Sequence, residues 1–194
     1  LKSWGFTNYM HRLTRGANLD LFRPFQDGDI NPYDAYKGPI ALYVGRVAIE
    51  KSIEDFLSMK WDGTKIVIGD GPERQELERQ HPDAIFLGAK TGEDLAAHYR
   101  AADVFVFPSR TDTFGMVIVE ALASGLPVAA YDVTGPKDIV TENYLGCLDN
   151  DLSLAAKNAL TCGTPQQRAN HVKSYYTWEH VADQYLDAQI NKAV

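Results

Sequence analysis

The chain has 194 residues, 45% of them hydrophobic, and a formal net charge of −7 at pH 7. That is enough apolar matter for one well-cored domain and too much for a disordered chain. The acidic balance excludes a broad nucleic-acid surface, which needs clustered Lys and Arg, and no apolar run approaches the length of a membrane span.

Cys147 and Cys162 lie far apart in the sequence, which fits a reduced cytoplasmic chain better than a disulfide framework. None of the five histidines falls in a metal-ligand spacing. Leu1 has no Met before it, and residues 1–8 do not read as a signal peptide, so the expectation is a piece of a longer cytoplasmic protein.

In chain order, residues 1–6 read as an edge or linker end and residues 9–14 as a weak strand; residues 1–24 together form the entry to the domain. Arg15 and Gly16 make a turn before a short apolar segment, residues 19–22. Residues 26–39 are rich in Asp, Asn, Gly and Pro without periodicity, which predicts a surface loop. Residues 40–44 form a buried strand that runs into a turn at Gly45, then a helix through residue 59. Near that helix start stand two cations, Arg46 and Lys51. Arg offers phosphate a planar fork and Lys a mobile point charge. Such residues are ordinarily just solvated, but their place at a strand's carboxyl end favours phosphate binding. Glu50 between them makes a surface pair with a cation.

Residues 64–68 form the next strand, followed by Gly69-Asp70-Gly71-Pro72. Gly69 and Gly71 permit a tight turn and close backbone approach, Asp70 can cap the following helix, and Pro72 suits its first turn. A G-x-G-x-x-G string is absent, which speaks against nicotinamide binding. Residues 73–80 make a charged, exposed helix. Residues 85–87 make a short strand that ends at Leu87-Gly88. Residues 92–101 make a helix with Leu95, Ala96 and Tyr99 inward and His98 on its surface.

The stretch from 103 to 140 is the most informative. Residues 103–107 are a buried strand ended by Pro108, and residues 109–113 a polar turn. From Phe114 the residues Val117, Ile118, Ala121 and Leu122 recur at helical spacing until Gly125 stops the helix; residues 126–130 are the next strand. Free backbone N–H groups and the helix dipole make that helix start an anion site. Asp112 precedes it, and Glu120 stands inside it among Val119, Ala121 and Leu122, where a carboxylate costs energy unless it has partners. A turn at 134–136 leads to a short helix at 137–140, a last strand at 146–148, and helices at 152–160 and 165–175. The final helix is capped by Thr177, with His180 on its face and Trp178, Val181, Tyr185 and Leu186 as its apolar stripe. Repeated β/α units predict the α/β class: a Rossmann-like parallel sheet with helices on both faces and right-handed crossovers. No internal repeat or nucleophile elbow interrupts it.

Three strings, G-R-x-x-x-E-K at 45–51, G-D-G-P at 69–72 and D-T-F-G-x-x-x-x-E at 112–120, occur in this order behind R-G-A-N-L-D-L-F-R-P at 15–24. Together they resemble the carboxyl-terminal, donor-binding half of family 4 (group 1) retaining glycosyltransferases of the GT-B fold, across nearly the whole chain. The family's motif has two Glu with seven residues between; Asp112 stands at the first position and Glu120 matches the second. The resemblance implies one domain over 1–194 that binds a nucleotide-diphosphate sugar and serves hexosyl transfer. It implies that Arg46 and Lys51 hold the diphosphate and that the N–H groups of Thr113, Phe114 and Gly115 add to that clamp. It also implies that Asp112 accepts from sugar hydroxyls and Glu120 from the ribose. Gly45, Gly69 and Gly71 lie near the donor, and Leu87 and Gly88 near the base. UDP is the commoner carrier in the family, with GDP open; no metal and no other cofactor is implied. A finer likeness is to bacterial mannosyltransferases and sulfolipid-type sugar transferases. The acceptor site, and any membrane association, would belong to an amino-terminal half that the last helix, 176–194, crosses back to. Two other readings stay open: a GT-B-like sugar-nucleotide epimerase, and a non-catalytic nucleotide-sugar-binding module, toward which Asp112 in place of Glu leans.

Overall fold

A computed structural model describes Gly5 and residues 13–112 and 114–190. The weak strand expected at 9–14 falls largely outside the described residues; Leu13 and Thr14, which are described, are irregular. Thr113 and the four terminal residues 191–194 also lie outside them.

Six strands form one sheet: β1 (Ile40–Val44), β2 (Thr64–Ile68), β3 (Ala84–Phe86), β4 (Val104–Phe107), β5 (Val128–Ala130) and β6 (Gly146–Leu148). Every pairing is parallel and the order is β3-β2-β1-β4-β5-β6. The β/α repeat thus gives the α/β Rossmann-like sheet expected, with β1 and β4 side by side at the point where the order reverses. There Ala41 faces Val104 and Leu42 faces Phe105.

Side chains along each strand alternate between two cores, as a sheet covered on both faces requires. On one face Leu42, Ile66, Phe105 and Val128 pack with Tyr99, Ile118, Leu122 and Val172. These last come from helices α3 (Gly92–Ala101), α4 (Met116–Ala123) and α7 (Pro165–Tyr175). On the other face Ala41, Val67, Val106 and Ala129 pack with Phe56, Leu77 and Ala156. Those belong to α1 (Ile53–Ser58), α2 (Arg74–Gln80) and α6 (Leu152–Ala159). The short α5 (Pro136–Ile139) and the final α8 (Trp178–Ile190) complete the described helices.

Several local expectations change. Asp70 does not cap α2, which starts at Arg74 after Glu73 with no side-chain cap; Asp70 instead accepts from the Gly71 N–H and pairs with Arg74. Pro72 therefore precedes the helix rather than opening it. His98 is buried, not a surface residue, because Tyr33 from the 26–39 loop folds over α3 and its hydroxyl lies 2.9 Å from His98 Nδ1. That loop, expected at the surface, contributes a core residue. Thr177 does cap α8, its hydroxyl accepting from the His180 N–H at 3.1 Å. The apolar stripe of α8 is open: Trp178, Tyr185 and Leu186 are exposed, while Ala188 is buried. Among the described residues no helix is long and apolar enough to cross a membrane.

Candidate functional site

A cavity of about 320 Å³ opens at the carboxyl ends of β1 and β4. In open α/β sheets the crevice where strand order reverses is the ligand site, because the two flanking crossovers leave on opposite faces and part above it. One wall is the turn after β1, with Gly45, Arg46 and Lys51; the other is the loop after β4, with Ser109, Asp112, Phe114 and Gly115.

The β1 wall is held from below. The Tyr43 hydroxyl donates to the Arg46 carbonyl oxygen at 2.8 Å and fixes the turn. A single 3-10 turn, Ile49–Lys51, carries Lys51 to the cavity, and Ser52 (φ 51°) reverses the chain into α1. Arg46 is mostly solvent-facing and pairs with Glu50 at 3.2 Å, the surface pair expected of Glu50. Lys51 reaches across: its Nζ donates to Asp112 Oδ1 at 2.6 Å, with both side chains half-buried. The two walls are thus joined by an ion pair between residues 61 apart in sequence.

The β4 wall is set by the turn before α5. A Cβ on Gly135 would sit 2.4 Å from the Asp112 carbonyl oxygen, and its φ of 101° disfavours any side chain, so only glycine lets this turn support the Asp112 backbone. Gly115 (φ 67°) forms the N-cap of α4 and has no side chain to cap it; its carbonyl accepts from the Ile118 N–H at 2.9 Å. Ser109 is buried and its hydroxyl has no hydrogen-bond partner among the described residues; it lines the cavity. Arg15 also lines it, 5.6 Å from the Phe114 ring centroid.

Glu120 does not line the cavity. It stands one turn along α4 from Met116, which does, and accepts from the Tyr99 hydroxyl at 3.1 Å. Burial pushes its carboxyl above the usual carboxylate range; the Tyr99 hydrogen bond opposes that only in part. Tyr99 is in turn raised well above an ordinary phenol by burial, with the Glu120 charge adding to it.

The structure therefore gathers Gly45, Arg46, Lys51, Asp112, Phe114 and Gly115 around one cavity. Thr113 lies outside the described residues. Gly69, Gly71, Leu87 and Gly88 do not line the cavity. The close approach expected of Gly69 and Gly71 is to the neighbouring turn: added Cβ atoms would stand 1.8 Å from the Gly45 carbonyl oxygen and 2.2 Å from that of Val47. The Gly69 N–H donates to the Gly88 carbonyl at 2.9 Å, so the three strand-end turns are laced together. Sequence reasoning missed Ser109 and Arg15 as cavity residues. Ser109 was readable only as a polar turn residue, and Arg15 as a strand–turn junction remote from the rest.

An open parallel domain with cations and a helix start at its switch point belongs, by architecture, among the α/β folds that bind ligands at strand ends. The comparisons narrow this. A family model described as "Glycosyl transferases group 1" matches residues 38–162, and the chain belongs to that family. A GDP-mannose-dependent alpha-mannosyltransferase of Corynebacterium glutamicum is 44% identical over 155 residues, covering 76% of this chain and 37% of that protein. A protein of the same description from Mycobacterium tuberculosis is 37% identical over 143 residues, covering 72% of this chain and 38% of its own. Among solved structures, a sucrose-phosphate synthase from Thermosynechococcus elongatus superposes with a TM-score of 0.76 at 29% identity, over 93% of this chain and 52% of that one. The fold is that of one half of a GT-B glycosyltransferase. The chain spans less than two-fifths of the length of these two curated relatives.

Proposed function

We propose that this chain is the donor-binding half of a retaining hexosyltransferase whose donor is GDP-mannose. The observation that carries the reading is the cavity at the β1/β4 switch point, where Arg46, Lys51 and the start of α4 converge. Two relatives above 35% identity are named for GDP-mannose and for alpha-mannosyl transfer, which is why guanosine replaces the uridine expected from family frequency. The donor is an α-mannosyl phosphate, so an alpha product corresponds to retention.

In this reading Arg46 and Lys51 meet the charge that builds on the departing diphosphate, together with the N–H groups of Phe114 and Gly115 at the start of α4. Asp112 accepts from sugar hydroxyls while Lys51 orients it. Glu120 accepts from the ribose hydroxyls, which accounts for a carboxylate held at an energetic cost on a largely apolar helix. The chemistry is positioning and electrostatic stabilisation of a dissociating glycosyl centre. The acceptor hydroxyl would be presented by an amino-terminal half. The exposed Trp178, Tyr185 and Leu186 stripe of α8 offers that half a docking face.

Calorimetry of GDP, UDP, GDP-mannose and UDP-glucose against the chain tests the reading. GDP binding at least about tenfold tighter than UDP, and weakened about 100-fold in Lys51→Ala, is the expected result. Preference for UDP would return the donor to a uridine sugar, and binding of none of the four would refute a donor site here.

A further inference from the structure

We infer that Arg15 is a third cationic ligand of the donor diphosphate, acting on its sugar-bearing phosphate; this rests on the donor-site reading above. The cavity is lined by three cations, Arg15, Arg46 and Lys51, and by one carboxylate, Asp112. Two of the cations already have partners. Lys51 is held by Asp112 at 2.6 Å and Arg46 by Glu50 at 3.2 Å. No described carboxylate pairs with Arg15; its recorded neighbour is the Phe114 ring, 5.6 Å from the guanidinium carbon. A dianionic ligand entering this cavity therefore meets one cation that has no carboxylate partner among the described residues.

The backbone around Arg15 is built to hold it there. Gly16 lies so close to α8 that an added Cβ would come within 2.7 Å of the Trp178 ring and backbone. The Ala17 N–H donates to the Tyr176 carbonyl at 2.8 Å, and the Thr14 N–H to Gln184 at 2.9 Å. Both hydrogen bonds bind the 14–17 segment to the end of α7 and to α8. Arg15 lines the cavity against Phe114, on the side of the loop after β4, whereas Arg46 lies in the turn after β1. Phe114, beneath Arg15, is two residues beyond Asp112, the residue assigned to the sugar. On the donor-site reading, a cation on the Asp112 side of the cavity is the one to meet the sugar-bearing phosphate. A guanidinium suits this place because its planar fork can take two phosphate oxygens while its face rests over an aromatic ring.

The inference predicts a discrimination that the Arg46–Lys51 pair alone would not give. In calorimetry on the chain, Arg15→Ala should weaken GDP about tenfold and GMP by less than about twofold, because GMP lacks the second phosphate. Arg15→Lys should recover about half of the lost affinity on a logarithmic scale, keeping the charge without the fork. Thermal unfolding of Arg15→Ala should match wild type, since the side chain is exposed. If Arg15→Ala leaves GDP affinity within twofold while Arg46→Ala weakens it, this inference fails and the donor site stands. Equal losses for GDP and GMP would also overturn it. Failure of the wild-type chain to bind GDP or UDP would refute the donor site and this inference together.

Discussion

Asp112 and Glu120 flank the start of α4 and carry the same charge, yet the protein treats them oppositely. Asp112 is bound to a cation, Lys51, at 2.6 Å across the cavity. Among the described residues no cation pairs with Glu120; it accepts from the Tyr99 phenol, and burial raises its carboxyl above the ordinary range. The first carboxylate belongs to a compensated pair that a ligand must rearrange. The second is an uncompensated group whose charge waits for hydroxyl donors. Charge at the mouth of the cleft is thus neutralised in advance, while charge deeper along α4 is maintained at a cost to the fold, as sites that serve function rather than stability often are.

The largest test of this contrast removes the cation. In Lys51→Ala, Asp112 is left as a bare half-buried carboxylate facing the diphosphate. A charge-assisted contact is lost and a repulsion gained, so GDP affinity should fall about 100-fold or more. Arg46→Ala, by comparison, removes an exposed residue already paired with Glu50 and should cost about tenfold. The double variant Lys51→Ala/Asp112→Asn should bind GDP at least about tenfold better than Lys51→Ala alone, more than the gain Asp112→Asn gives in the presence of Lys51. Additivity of the two substitutions in a calorimetric double-mutant cycle would show that the ion pair does not couple them.

A smaller effect, of opposite sign, follows from removing the acid alone. Asp112→Asn frees the Lys51 ammonium, so GDP should bind about threefold tighter. Transfer from GDP-mannose in a full-length enzyme should nevertheless drop, because the carboxylate that accepts from sugar hydroxyls is gone. Parallel calorimetry and product assays separate the two. A loss of GDP affinity in Asp112→Asn would mean that Asp112 chiefly builds the loop.

How much of this contrast the sequence could reveal depends on the range of each interaction. Strands β1 and β2 and helices α3 and α7 follow from local periodicity and fall where expected. The motif strings also brought Arg46, Lys51, Asp112 and Gly115 into consideration before any geometry. What periodicity could not supply is pairing at a distance. Lys51 meets Asp112 across 61 residues, and Tyr33 covers His98 across 65, from a loop with no pattern of its own. The stripe on α8 was correctly read as apolar, but a stripe does not name its partner, and Trp178 and Tyr185 face solvent here. The Gly135 turn illustrates the same limit. Its sequence announces a turn, and only the fold shows that the turn supports the Asp112 carbonyl.

The last predicted effect is on stability rather than affinity and concerns Glu120. Its folded-state pKa lies above the unfolded value of 4.5, with burial the largest cause. For an acid raised in this way, the protonated form is favoured by folding. Its contribution is fully present below about pH 4.5 and is lost as pH rises through the folded pKa. Deprotonation of Glu120 therefore works against the fold. Glu120→Gln retains the shape and an oxygen to accept from Tyr99 but carries no charge. It should be more stable than wild type at pH 7, by about 1 kcal/mol, which is about 2–4 °C in Tm for a chain of this size. The advantage should shrink as pH is lowered through the folded pKa and vanish near pH 4, where wild-type Glu120 is itself neutral. The same variant should bind guanosine nucleotides more weakly while leaving pyrophosphate binding unchanged, since only the former carry ribose. Differential scanning calorimetry of both proteins from pH 4 to pH 8, in the absence of nucleotide, makes the measurement. A Tm difference that stays constant across that range would show that it does not arise from Glu120's charge, and the contrast with Asp112 would then be one of position only.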